Sequence, residues 1–173
     1  MVPMNLMAPM NNLPVAVMNG LAAALWEADR HFDVLEEALP EWQARQDQAL
    51  DGVVPTNQLA ALETDRQRLR LLDQLLFRFT KLQDAVGSRL VPATLAAFAE
   101  PFENWSMIDR LNRLEKLGFI EVNQWLIWRE TRNRLAHEYP DEPEIRYSAI
   151  LAAVAAAKEL ADLYRGWRKK LGR

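Results

Sequence analysis

Apolar residues recur at intervals of three and four along most of this chain, and that spacing constrains the fold more than any other feature. Such a repeat places the apolar side chains on one face of an α-helix, and no segment shows the sustained alternation of a β-strand. Amphipathic helices bury these faces against one another. The sequence therefore predicts an all-α fold, an antiparallel helical bundle. The longest series is Leu62, Leu69, Leu72, Leu76, Phe79, Leu82 and Val86.

Local signals predict where the helices begin and end. Pro40 can kink or end the first helix, Gly87 is a plausible stop for the second, and Pro92 suits the first turn of a short third helix. Ser106 and the acidic residue three positions later resemble a capping box, and Gly118 has the position of a C-terminal cap. The predicted helices span residues 17–41, 62–86, 92–98, 106–117 and 121–137, with a last helix after a turn at 140–143.

The N-terminal segment differs in composition from the rest of the chain. No charged residue precedes Glu27, and five of the six methionines lie at or before Met18. Prolines interrupt the apolar run and no basic region precedes it, which argues against a signal peptide and a membrane span. We expect residues 1–16 to be a flexible leader or a mis-assigned start, and residues 17–173 to form a single helical domain.

Composition excludes several kinds of site. The chain has no cysteine, which rules out disulfides and a thiol nucleophile and suits a cytoplasmic protein. With only His31 and His137, a multi-histidine metal site is not expected, and we predict neither metal nor cofactor.

Charge bears on nucleic-acid binding. The formal net charge of −3 argues against broad nonspecific coating of nucleic acid, but a local basic site stays open. Two clusters are candidates, although a solvated helix face is the simpler interpretation of each. They are Arg66, Arg68, Arg70, Arg78, Lys81 and Arg89, and, in the tail, Arg165, Arg168, Lys169, Lys170 and Arg173.

Arg132 occupies an unusual position in its predicted helix. It continues the apolar stripe of Val122, Trp125 and Trp128, where an unpaired charge would be costly. Two interpretations remain open. The guanidinium forms an internal salt bridge with a carboxylate of the long helix, such as Asp84 or Asp73, or it faces a cleft or an interface.

His137 follows five residues later, where the helix must end before Pro140. Histidine is suited to proton transfer near neutral pH, although a histidine at a helix end also interacts favourably with the helix dipole. Tyr139 is open to an equally simple interpretation as a loop aromatic that covers the end of the bundle.

Together these residues form the pattern R-x4-H-x-Y, in the local sequence Arg-Asn-Arg-Leu-Ala-His-Glu-Tyr at 132–139. The pattern resembles the signature of HEPN domains, and specifically of HepT-like toxins. The resemblance covers 17–171 in architecture but only 132–139 in specific sequence. It implies a HEPN-type bundle that forms a twofold dimer.

The resemblance also implies an activity: a metal-independent endoribonuclease, the toxin of a toxin–antitoxin pair, with Arg132 and His137 as catalytic residues. Tyr139 would be the residue that a minimal-nucleotidyltransferase antitoxin adenylylates (AMPylation). Asn133 would support the His137 ring, and Asp84 and Lys81 are possible accessory residues. RNA, the antitoxin and a second copy of the chain are the expected partners, and no membrane. The alternative is a non-catalytic helical binding partner of a nucleotidyltransferase.

Overall fold

A computed structural model describes residues 12–50, 52, 57–135 and 142–172. All regular secondary structure in these ranges is helical, which confirms the predicted all-α class. None of the described helices is both long enough and apolar enough to cross a membrane. The elements are α1 (Val15–Leu50), α2 (Gln58–Thr64), α3 (Arg66–Ala85), a π-helical segment (Val86–Leu90), α4 (Val91–Ala97), α5 (Met107–Lys116), α6 (Val122–Leu135) and α7 (Pro143–Lys170).

Helix α1 is longer than the sequence predicts at both ends. It begins at Val15, before the expected boundary at residue 17, and Leu13 packs against the core. It also continues through Pro40, which lies on the exposed side of the helix. Proline removes one backbone donor, but water can solvate the carbonyl left behind on an exposed face. Pro40 therefore does not end the helix.

The predicted second helix is divided near its start and extended at its end. Asp65 interrupts it, and the Asp65 carboxylate accepts hydrogen bonds from the backbone N–H groups of Gln67 (3.0 Å) and Arg68 (3.1 Å) as the N-cap of α3. Gly87 does not stop the helix, because the chain passes through the π segment directly into α4. A wider π turn shifts the helical register, so Val86, Leu90 and Leu95 all reach the core.

Helix α1 runs antiparallel to both α3 and α7. Near its C-terminal end Gln46 contacts Arg68 at the start of α3 and Tyr147 at the start of α7. At the opposite end of the bundle the Tyr164 hydroxyl donates to Asp29 of α1 at 2.7 Å. These contacts place α3 and α7 antiparallel to α1 and therefore parallel to each other, so the predicted antiparallel bundle is observed only in part. The core between the helices is apolar, and its innermost side chains include Leu35, Leu75, Phe79, Leu82 and Leu160.

The predicted caps of α5 are confirmed. The Ser106 hydroxyl accepts from the backbone N–H of Asp109 at 3.2 Å and donates to its carboxylate at 2.6 Å. Gly118 follows the helix with φ +77°, a left-handed conformation that favours glycine. The short connection from Gly118 to Val122 then turns the chain into α6, the helix that carries Arg132.

Candidate functional site

The C-terminal turn of α6 carries the described part of the R-x4-H-x-Y pattern. Arg132 and Asn133 lie in that turn, since the helix ends at Leu135. His137 and Tyr139 lie outside the described residues, so their geometry forms no part of the site described below. The site is therefore built from Arg132 and its surroundings.

Arg132 lies at the open end of the apolar stripe of α6. Val122, Trp125 and Trp128 are buried, whereas the Arg132 side chain keeps 30% of its surface exposed. Its Nη1 donates a hydrogen bond to Oδ1 of Asp84, the penultimate residue of α3, whose side chain is 50% exposed. Of the two carboxylates that the sequence left open, it is therefore Asp84 and not Asp73 that holds the guanidinium.

The Arg132–Asp84 ion pair orients the arginine side chain but is too weak to hold it in one position. Partly exposed pairs of this kind stabilise a fold by only about 0–1 kcal/mol, because water screens the charges. A guanidinium has five N–H donors in a planar fork. Asp84 is the only carboxylate within salt-bridge distance of Arg132 among the described residues. The arrangement leaves the group able to donate to a second anion, such as a phosphate.

Packing on two sides fixes the position of α6. Trp125 packs so close to the π segment that a Cβ atom at Gly87 would lie 3.0 Å from its Cζ2 atom. On the other side the Trp128 indole N–H and the Gln124 amide both donate to Glu159 of α7, at 2.8 and 2.9 Å. A helix anchored in this way presents Arg132 in a defined position relative to α3.

The remaining described candidates are Asn133 and Lys81. Asn133 is exposed on α6, and its predicted contact with His137 lies outside the described residues. Lys81 is exposed on α3, one turn before Asp84, with its ammonium 5.9 Å from the centroid of the Phe77 ring. Lys81 thus lies near the Arg132–Asp84 pair along α3, and within the described residues it forms no ion pair with Asp84.

The sequence did not reveal that His31 of α1 and Arg78 of α3 meet beside this surface. Arg78 Nη1 lies 3.1 Å from His31 Nδ1. Burial is the main cause that lowers the pKa of His31 below its ordinary value of 6.5, and the positive charges of Arg78, Arg30 and Lys81 lower it further. His31 is therefore neutral at pH 7, and its Nδ1 accepts the hydrogen bond from Arg78.

The basic cluster that the sequence suggested along α3 is not continuous. Arg68 is only 1% exposed, with its guanidinium donating to the Gln46 side-chain carbonyl and lying 5.9 Å from the Trp42 ring centroid. Arg89 is exposed and pairs with Glu27 of α1 at 3.7 Å. The exposed cations that remain on α3 are Arg66, Arg70 and Lys81, whereas Arg78 is half-buried against His31 of α1.

Several concave features border α7 in the described part of the chain. A cavity of about 660 Å³ separates α1 from α7 and is lined by Trp42, Gln46 and Lys158, none of them a predicted site residue. A smaller cleft of about 340 Å³ lies between the end of α6 and the start of α7, where Arg134 and Glu144 face it. The smaller cleft adjoins the R-x4-H-x-Y segment, whereas the larger one does not.

Within the described ranges, no three carboxylate or imidazole side chains are grouped so that they could hold a metal ion. Comparisons of the chain with protein-family models, with curated proteins and with solved structures gave no significant match. The resemblance to HEPN domains therefore rests on the residues at 132–139.

Proposed function

We propose that this protein is a HEPN-type endoribonuclease, the toxin of a toxin–antitoxin pair. The observation that carries the proposal is Arg132, the first residue of the R-x4-H-x-Y pattern. It is an arginine at the end of a buried stripe, oriented by Asp84 and exposed enough to receive a phosphate. The ion pair with Asp84 would by itself serve a structural role, so the part of the Arg132 guanidinium that stays exposed is what supports phosphate binding.

The residue types suit RNA cleavage by internal transfer. The ribose 2′-oxygen attacks the adjacent phosphorus while its proton passes to a base, and the bond from phosphorus to the 5′-oxygen breaks as that oxygen receives a proton. His137 is the group that moves protons, because its ordinary pKa lies near neutrality. Arg132 stabilises the negative charge that develops on the non-bridging phosphate oxygens. None of these roles requires a metal ion.

A twofold dimer belongs to the same proposal. The reaction needs a group that takes a proton and a group that gives one, and the pattern supplies one histidine per chain. A symmetric dimer that brings two copies of 132–139 to one cleft supplies two histidines and two arginines. The exposed position of Arg132 at the end of α6 is compatible with such a shared cleft.

The second partner in the proposal is a minimal-nucleotidyltransferase antitoxin that adenylylates Tyr139. A phosphodiester added two residues after His137 would bring negative charge to the place where RNA phosphate must bind, and so oppose binding to Arg132. This assignment comes from the resemblance at 132–139, and Tyr139 lies outside the described residues.

RNA cleavage by single-residue variants tests the proposal. With EDTA present, we expect His137→Ala to reduce the cleavage rate about 10²–10⁴-fold, the usual effect of removing a general acid or base. Removing a charge-stabilising donor is expected to cost about 10²–10³-fold in Arg132→Ala. His31→Ala is the matched control, since the only other histidine lies on α1 and its ring contacts Arg78.

Three results would contradict this mechanism: a His137→Ala protein as fast as the wild type, an equal loss in His31→Ala, or complete inhibition by EDTA. A wild-type protein that binds a nucleotidyltransferase but cleaves no RNA would favour the non-catalytic binding partner instead.

A further inference from the structure

Phe77 is an exposed aromatic ring on the outer side of α3, with 53% of its surface accessible. Two cations lie over this ring. The Arg78 guanidinium carbon is 5.5 Å from the ring centroid, and the Lys81 ammonium is 5.9 Å from it. The exposed ring therefore lies beside charged groups on the protein surface.

The surroundings of Phe77 distinguish it from a protein-docking surface. It is the only large apolar side chain that α3 exposes, and its exposed neighbours on the helix include Gln74 and Lys81. Protein interfaces have an apolar centre made of several residues, with charged groups at the rim. A single ring among cations is instead typical of surfaces that bind single-stranded nucleic acid, where bases stack on aromatic side chains and cations follow the phosphates.

The charge of α3 favours the same ligand. The helix has five basic residues and two acidic ones, within a chain of net charge −3. Arg68 is buried, which leaves three exposed basic residues and the half-buried Arg78. One of the two acidic residues, Asp84, is paired with Arg132, and the other, Asp73, lies one turn before Phe77. The positive charge concentrated on this helix complements a phosphate backbone locally, although the whole chain is acidic.

Phe77 is also aligned with the candidate cleavage site. Phe77, Lys81 and Asp84 are spaced four and three residues apart, so they follow one line along the outer side of α3. At the end of that line Asp84 contacts Arg132. Seven residues of helix correspond to about 10 Å, a distance that a short stretch of single-stranded RNA can span.

We propose that Phe77, between Arg78 and Lys81, stacks an unpaired base of single-stranded RNA and so positions a nearby phosphate at Arg132. This rests on the proposed ribonuclease function, because the stacked base matters only if Arg132 receives a phosphate of the same strand. Bases in a duplex are already stacked on one another and leave no face for the ring. The site therefore selects single-stranded over double-stranded RNA.

Binding of a fluorescent single-stranded RNA whose 2′-hydroxyls are methylated tests this without cleavage, since the attacking group is blocked. Anisotropy measurements should show that Phe77→Ala raises the Kd about 5- to 150-fold, from the usual contribution of one stacked base. Phe77→Trp should bind as well as the wild type or better. Lys81→Gln should reduce the slope of log Kd against log salt concentration by about 0.7, as expected for one lost phosphate contact on a single strand.

Trp26→Ala is the matched control. Trp26 is 62% exposed on α1, with the Arg30 guanidinium carbon 4.9 Å from its ring centroid. Like Phe77 it is an exposed aromatic ring beside a cation, but it lies on a different helix. We expect this variant to bind the RNA like the wild type. Light scattering on each variant should give the wild-type mass.

Several outcomes would overturn the assignment: no RNA binding by the wild type, unchanged binding in Phe77→Ala, or an equal loss in Trp26→Ala. A Phe77→Ala protein with changed mass and unchanged RNA affinity would identify the surface as a protein contact. These experiments measure binding alone. A wild-type protein that binds RNA but does not cleave it would refute the proposed function, and the effect of Phe77→Ala on the Kd could still be interpreted.

Discussion

The imidazole of His31 is the described histidine whose titration the fold alters. Arg78 donates to its Nδ1, and Arg30 and Lys81 add further positive charge nearby, while Glu27 acts in the opposite direction. Burial and the three cations outweigh Glu27, so the pKa of His31 is lowered in the folded chain. A proton added to this ring would replace an accepted hydrogen bond with repulsion between like charges.

The lowered pKa predicts the direction in which stability depends on pH. Below pH 6.5 the unfolded chain protonates its histidine while folded His31 remains neutral, so the unfolded state binds more protons. The contribution of His31 to the free energy of unfolding is therefore fully present above pH 6.5. It decreases as the pH falls and levels off below the folded-state pKa.

Urea denaturation of the wild type and His31→Gln across pH 5–8, roughly the range in which histidines titrate, measures this contribution. The wild type should lose more stability than His31→Gln between neutral and acidic pH, since glutamine does not titrate. Parallel pH profiles for the two proteins would show that His31 titrates alike in the folded and unfolded states.

At the scale of elements, the π segment is where Trp125 of α6 packs closely against the chain that follows α3. Gly87 lies in that segment against the indole of Trp125, which is 4% exposed and enclosed by the core. A Cβ atom at position 87 would lie 3.0 Å from Trp125 Cζ2, closer than unstrained carbon atoms approach. The glycine thus allows α6 to approach the helix that carries Asp84.

We predict that Gly87→Ala destabilises the protein although alanine is the better helix former. Helix propensity favours alanine by about 1 kcal/mol, whereas overpacking costs about 1–3 kcal/mol. The expected net loss in the free energy of unfolding is up to about 2 kcal/mol, measured by chemical denaturation. The control is Gly20→Ala in α1, where an added Cβ atom would meet nothing within 4 Å, so helix propensity acts there without overpacking.

Repeating the Gly87→Ala substitution in a Trp125→Phe protein separates the cost of the indole contact from the cost of a backbone effect. Trp125→Phe removes the outer indole ring that contains Cζ2, so Gly87→Ala should cost less in that background than in the wild type. An equal cost in the two backgrounds would attribute the loss to the π-helical backbone instead.

At the scale of the whole molecule, the proposed dimer makes cleavage depend on two chains at once. If each cleft needs the histidines of both subunits, a heterodimer of wild-type and His137→Ala chains is inactive. Adding excess His137→Ala and allowing subunits to exchange should then lower the activity per wild-type chain in proportion to the remaining wild-type homodimers.

Light scattering gives the mass of each mixture, and bovine serum albumin in place of the variant controls for dilution. Constant activity per wild-type chain in exchanged dimers would mean that each subunit cleaves alone.

The sequence by itself determined the features that depend on a few neighbouring residues. The all-α class follows from the three-and-four spacing, and the caps at Ser106 and Gly118 follow from local hydrogen bonds and backbone conformation. Pro92 lies in the first turn of α4 as predicted, although α4 continues directly from the π segment and does not follow a loop. The position of Arg132 on an apolar stripe could also be predicted, because Trp125, Trp128 and Arg132 are spaced three and four residues apart and so share one face of the helix.

Only the tertiary structure decided which faces meet. Helical spacing shows that a face is apolar but not which helix covers it. The sequence therefore could not choose Asp84 over Asp73, pair His31 with Arg78, or show that Arg68 is buried. Gly87 shows the same limit: local propensity favours a stop there, but the helix continues and Trp125 packs closely against this position. Contacts between distant segments stabilise the chain more than single-residue propensities do, and their partners are fixed only when the helices pack.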